Sequence, residues 1–125
     1  QWHHMFTNIE TDRTVAGLEL NTLGDGLFHL FDYLLTLTGI ALLWRVALRD
    51  DVSHSTATFV GALMIGAGLF DCVEGLIDHQ ILGIHHVKPG PNEFIWDMGF
   101  LLLGAGLCLA GWLVTRLTKA AQLTL

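Results

Sequence analysis

The sequence predicts an all-α fold: a polytopic membrane helical bundle with three spans in this chain and four in the parent, built as two parallel helical-hairpin repeats. Three observations carry that prediction. Only 14% of the residues are charged and 52% are hydrophobic, where a water-soluble domain carries about 25% charged residues. Three runs, Gly26–Trp44, Thr56–Leu76 and Met98–Val114, stay apolar long enough to cross a bilayer, which takes roughly 20 residues of helix. Glycine falls inside these runs, at Gly61, Gly66, Gly68, Gly104, Gly106 and Gly111. In water such glycines weaken a helix. In lipid they let helix backbones approach closely.

Taken in order, the 125 residues form a single membrane domain. Residues 1–23 are polar to mixed and read as a loop on the outer membrane face. Within them, Val15-Ala16-Gly17-Leu18 is too short an apolar stretch to span. The first span, 24–46, opens at Gly24-Asp25-Gly26. Asp25 suits a helix cap there, because a carboxylate satisfies free N–H groups and the positive end of the dipole. Ser53 or Ser55 caps the second span, 54–82. An outer-face loop rich in His, Pro and Gly covers 83–92, and Asp97 caps the third span, 93–117. The tail, 118–125, carries no signal.

Charge sets the orientation and excludes one class of partner. Arg45 and Arg49 follow the first span, and Arg116 and Lys119 follow the third. Basic residues concentrate on the cytoplasmic side, so the other ends, with the histidine pairs, are expected outside a bacterial cytoplasmic membrane. Trp2, Trp44, Trp96 and Trp112 suit the membrane interfaces. A net charge of -6 without a basic stripe argues against nucleic acid. Cys72 and Cys108 lie inside spans without CxxC spacing and read as packing residues, with no disulfide expected. The start shows no basic stretch followed by an apolar one, so no signal peptide is expected.

A repeat organises the chain. Gln1-Trp2-His3-His4-Met5 matches Gly83-Ile84-His85-His86-Val87. Each pair is followed by a loop and then by a helix with an early aspartate, Asp25-Gly26-Leu27-Phe28 or Asp97-Met98-Gly99-Phe100. The second pair has a whole span before it, so a span is expected before Gln1, which makes four in the parent.

Ionisable groups within spans are costly in lipid and mark function by default. Asp25, His29 and Asp32 share one face of the first helix; Asp71, Glu74 and Asp78 share one face of the second. In each stripe the deepest aspartate lies roughly 10 Å below the first, given 1.5 Å per residue. At the rim stand His3, His4, His79, His85, His86 and Asp97, so every histidine but His54 is on one side. Imidazoles with carboxylates suit transition metals, and helix bundles build such sites from inward-facing Glu and His. The expected ligands are therefore His3, His4, His79, His85 and His86, with His29 and Glu74 beneath them and Asp78 either bound to the metal or holding an imidazole N–H. Asp25, Asp32, Asp71 and Asp97 are expected to support them from behind. Met5 and Met98 add soft sulfur, which favours copper over zinc or iron. Against this stands a plainer reading of each residue alone: Asp25 and Asp97 as caps, Asp32 and Asp71 in local hydrogen bonds or sharing a proton, His54 as surface.

The stretches QWHHM, DGLFH, LFDCVEGLIDHQILGIHHVKPG and WDMGF together resemble the DUF2243 family of bacterial integral membrane proteins, over nearly the whole chain. The resemblance implies four spans, the first closing on a His-Gln just upstream of Gln1 in the way of His79-Gln80. It implies no activity. Members are sometimes encoded near copper-handling oxidase-assembly proteins, which turns the expected metal further toward copper. The expected function is metal holding at the extracytoplasmic end of a helix bundle, for a respiratory-enzyme assembly or another membrane complex, with homo- or hetero-oligomers expected. The alternatives are a membrane metallo-oxidoreductase with one or two metals, and a haem-binding or structural subunit. The spacing His79-x5-His85-His86 does not match the histidine boxes of membrane desaturases.

Overall fold

The computed structural model describes residues 4–7, 14–52 and 54–122, with side chains to 119. Every regular element among the described residues is a helix. Three of these are long and apolar enough to cross a membrane. The chain divides into two compact units, Gln1–Ser53 and His54–Leu125.

In the first unit, α1 (Val15–Ala47) is one helix of 33 residues. Thr14 is extended, and its hydroxyl accepts the Gly17 N–H at 3.1 Å, so the helix starts there. This corrects the expected loop over 14–23 and the expected start at Gly24-Asp25. A glycine costs only about 1 kcal/mol inside a helix, too little for Gly24 and Gly26 to break one flanked by leucines. Asp25 therefore lies within a helix and is no cap. After α1, the Arg49 guanidinium grips the Asp51 carboxylate as a fork, Nε to Oδ1 at 3.0 Å and Nη2 to Oδ2 at 2.5 Å. That pairing holds the Asp51 carboxyl below its usual range and raises the Arg49 guanidinium.

In the second unit, α2 (Thr56–Glu74) is capped by Ser55, whose hydroxyl accepts the Thr58 N–H at 3.4 Å. It passes without a break into a π-helix, Gly75–Ile81. Gly83 then takes φ +58, a left-handed conformation that favours glycine, and the chain turns back. The Ile84 and His85 N–H groups both reach the Asp78 carbonyl, at 3.0 and 3.4 Å. Finally α3 (Glu93–Gln122) returns antiparallel to α2 over 30 residues. Asp97 sits inside this helix, so it too is no cap.

Glycines make the hairpin seam. Gly61 and Gly68 on α2 with Gly75 opening the π-helix, and Gly104 and Gly111 on α3, recur every seventh residue. A seven-residue period keeps one stripe against a partner helix. A Cβ on Gly61 would lie 2.8 Å from the Gly111 carbonyl oxygen, and one on Gly104 would lie 3.0 Å from that of Gly68. The burial pattern is the reverse of a water-soluble protein. No described hydrophobic side chain is buried, whereas Asn21, His79 and Asp97 are. With lipid as the outer solvent, leucines lose nothing by facing out and polar groups must be satisfied within. Lys88, in the loop before α3, lies over the Trp96 ring at 5.3 Å, and Arg116 over the Trp112 ring at 5.0 Å. These tryptophans stand roughly 24 Å apart along the helix, as interface anchors should.

Candidate metal centre

The site begins with the π-helix. In an α-helix, residues five apart point about 140° away from each other. A π-helix bonds i to i+5 and brings them onto one face. Glu74 and His79 are such a pair, and His79 Nε2 lies 4.0 Å from Glu74 Oε1. The turn at Gly83 then carries His85 back over the helix end, where its ring sits 5.4 Å from that of His79. Ligand atoms of Glu74, His79 and His85 all lie within 4.8 Å of one another. The buried His79 ring is flanked by Phe100 at 5.3 Å and His86 at 6.2 Å.

A second carboxylate enters from α3. Asp97 Oδ2 accepts from His86 Nδ1 at 2.7 Å, and Oδ1 accepts the Val87 N–H at 3.0 Å. A carboxylate can only accept, so Nδ1 of His86 is the donor to Asp97. Asp97 Oδ1 is also 3.3 Å from His79 Nδ1. That approach lacks the alignment of a hydrogen bond, and neither ring nitrogen of His79 has a hydrogen-bond partner. The imidazole thus lies buried between two carboxylates with no bond to either. The gap between these donors has room for a cation. Metal bonds to nitrogen and oxygen are about 2.1 Å, so the 4.0 Å from His79 to Glu74 is just under two of them.

The first unit repeats the carboxylate clamp. Asp25 Oδ2 is 2.9 Å from His4 Nδ1, and Asp25 Oδ1 accepts the Met5 N–H at 2.6 Å. His4-Met5 and Asp25 thus do what His86-Val87 and Asp97 do. The register extends further. Asn21, one turn before Asp25, accepts the Phe6 N–H at 2.9 Å. Glu93, one turn before Asp97, lies 3.4 Å from His86 Nε2. Phe6 fills the space over Gly24, where a Cβ would meet its ring at 2.6 Å, as Lys88 covers Trp96. The internal repeat is therefore present in geometry as well as in sequence.

The expected site residues separate as follows. Glu74, His79 and His85 come together, and His86 is held beside them by Asp97. Asp78 is outside the three-donor group; its described role is the backbone carbonyl that ties down residues 84 and 85. The imidazole-holding carboxylate is Asp97, arriving from the next helix. Asp71 faces α3, its Cβ 3.0 Å from where a Gly104 Cβ would be. His4 is bound to Asp25, Asp32 is half-buried on α1, and His29 is exposed beside the Phe28 ring. His3 lies outside the described residues. Glu93 and Asn21 were not expected. Their signal was the shared spacing, each four residues before its clamping aspartate.

No curated protein and no solved structure matches the chain. The family described as "Predicted membrane protein (DUF2243)" matches residues 1–118. The match spans both units and both carboxylate clamps, and the chain belongs to the DUF2243 family of membrane proteins.

Proposed function

We propose that this membrane protein holds a transition-metal ion at the end of the α2/α3 hairpin, on Glu74, His79 and His85. The observation that carries the reading is His79, buried with both ring nitrogens lacking hydrogen bonds and with two ligand-bearing neighbours in reach. Two imidazoles and a carboxylate are borderline-to-hard donors, which suits Cu(II), Zn(II) and Fe(II) and disfavours Mg and Ca. Copper leads this set because affinity rises to Cu(II) along the divalent series. Asp97 supports the cluster from behind: it holds His86 beside it and brings a carboxylate oxygen to 3.3 Å from His79 Nδ1, where such a group steadies a ligating imidazole.

Arg116 and Lys119 lie at the far end of α3 from this cluster, and the basic-residue rule supports a metal held on the extracytoplasmic side of a bacterial inner membrane. There it would take up or hand on an ion, in metal handling for a respiratory enzyme or another membrane complex. A second reading rests on the donor count. Three protein ligands leave a coordination position for an exogenous molecule, as a membrane metallo-oxidoreductase needs.

Elemental analysis of the protein purified without chelator tests the proposal. One equivalent of transition metal is expected, and it should be lost in His79→Ala and in His85→Ala. Metal content unchanged in both variants would sink the site.

A further inference from the structure

The two cysteines occupy a second place in the hairpin. Cys72 on α2 and Cys108 on α3 flank the crossing of Gly68 with Gly104. Each is one helical turn beyond its own glycine. A Cβ on Gly104 would lie 3.0 Å from Cys72 Sγ, and one on Gly68 would lie 2.8 Å from Cys108 Sγ. The sulfurs thus fill the room that the glycines leave. Helical side chains lean toward the N-terminus. In this antiparallel pair each thiol therefore leans along the seam toward the other. Both thiols are free and half-buried. Each donates only a long contact to a carbonyl of the opposite helix, Cys72 to Leu101 at 3.9 Å and Cys108 to Ile65 at 3.7 Å. Packing alone would accept alanine or serine at either position. It does not call for a sulfur opposite a sulfur at the closest approach of two helices.

We propose that Cys72 and Cys108 form a two-sulfur site for a soft monovalent ion of the Cu(I)/Ag(I) class. Thiolate is the metal-binding form of cysteine, and soft thiolates select such ions over the divalent metals that imidazole and carboxylate prefer. The site lies within the hairpin and shares no ligand with Glu74, His79 and His85. On capture, two S–H bonds break, two S–metal bonds form and two protons leave to solution. No electron is transferred, and the product is a single S–metal–S bridge between α2 and α3.

Ag(I) is the probe, being soft and redox-inert. The full chain in detergent, reduced with a phosphine and free of chloride, is titrated with silver nitrate, and the sulfur-to-silver absorption and native mass are followed. One Ag(I) per chain is expected, lost in Cys72→Ser and in Cys108→Ser, and kept in the His79→Ala, His85→Ala double variant. Binding that survives either serine variant, or that disappears with the histidines, overturns the proposal. Alkylation of the unaltered chain tests the pairing without relying on the folding of a variant. One equivalent of Ag(I) should protect both cysteines together. Protection of one cysteine only, or a need for two equivalents, would show independent thiols and no shared site.

Discussion

His79 is buried against Phe100, Glu74 and Asp97, and its two ring nitrogens make no hydrogen bond. An imidazole so placed has left water and gained no hydrogen bond, at a cost of about 1–3 kcal/mol. Replacing it by phenylalanine removes the unsatisfied nitrogens while keeping a ring. Without metal, His79→Phe should therefore be as stable as the parent or more so. With metal the order should reverse, because an ion binding only the folded state adds about 2.7 kcal/mol at a hundredfold excess over Kd. Denaturant unfolding in detergent, with and without Zn(II), measures both arms; equal metal stabilisation of the two proteins would put the ion elsewhere. Asp97→Asn belongs at the same scale. It keeps an acceptor for Val87 N–H but removes the charge 3.3 Å from His79 Nδ1 and weakens the hold on His86 beside it, so metal affinity should fall about 10–100-fold in a chelator competition. An unchanged affinity would mean that the clamp is purely structural. The sequence made the chemistry of this residue set legible, because His85-His86 and Glu74 stand beside apolar spans. It did not show which carboxylate holds which imidazole. Asp78 is the neighbour in sequence, yet Asp97 holds His86, because that contact depends on how α3 packs against the helix end.

The π-helix is the element on which the centre depends. Length and apolarity reveal a helix over 54–82 from the sequence, but an α-helix and a π-helix have the same composition. A face assignment that assumed α spacing grouped Glu74 with Asp71 and Asp78. The wider turn groups it with His79 instead, five residues on. The early start of α1 was missed for a related reason. Gly24-Asp25-Gly26 looks like a start, but Asp25 faces the arm at residues 4 and 5, and only Thr14 caps. The π-helix can be tested by its length. A π-turn behaves as an α-helix carrying one inserted residue, so deleting Leu76, which is 52% exposed, should turn it into α-helix. Glu74 and His79 would then be four apart, about 40° around an α-helix, and still on one face. Metal binding should survive within about tenfold, a 1.4 kcal/mol change, and helical circular dichroism should be unchanged. Deleting Leu69 inside α2 has no such remedy. It turns Gly61 and Gly68 about 100° away from Gly75 and the Glu74–His79 pair, and should abolish both the hairpin and the metal. If the two deletions behave alike, the π-turn has no special part in the site.

The described molecule keeps its polar residues inside and its leucines outside, and this inversion follows from the solvent it was built for. The overall pattern could be read in advance, since three long apolar runs with internal glycines have few other uses. Which glycines matter could not. Gly61, Gly66 and Gly68 look alike in sequence, but only the first and third meet α3. A Cβ on Gly66 would find nothing within 4 Å, whereas one on Gly68 would lie 2.8 Å from the Cys108 backbone nitrogen. Backbone cannot move aside as a flexible side chain can, so the two helices would have to separate. With them would go the approach of Asp97 to the His79 and His86 that precede it. Gly68→Leu should therefore lower stability by about 1–3 kcal/mol, the usual cost of overpacking, and should release bound metal although no ligand is altered. Gly66→Leu places a side chain in lipid and replaces a poor helix former by a good one, a gain of up to about 1 kcal/mol. It should keep its metal and be at least as stable. Thermal unfolding and metal content of the two variants in the same detergent decide the matter. Gly68→Leu retaining full metal would mean that the centre does not depend on the seam, and that the ligands are held by the helix end and its loop alone.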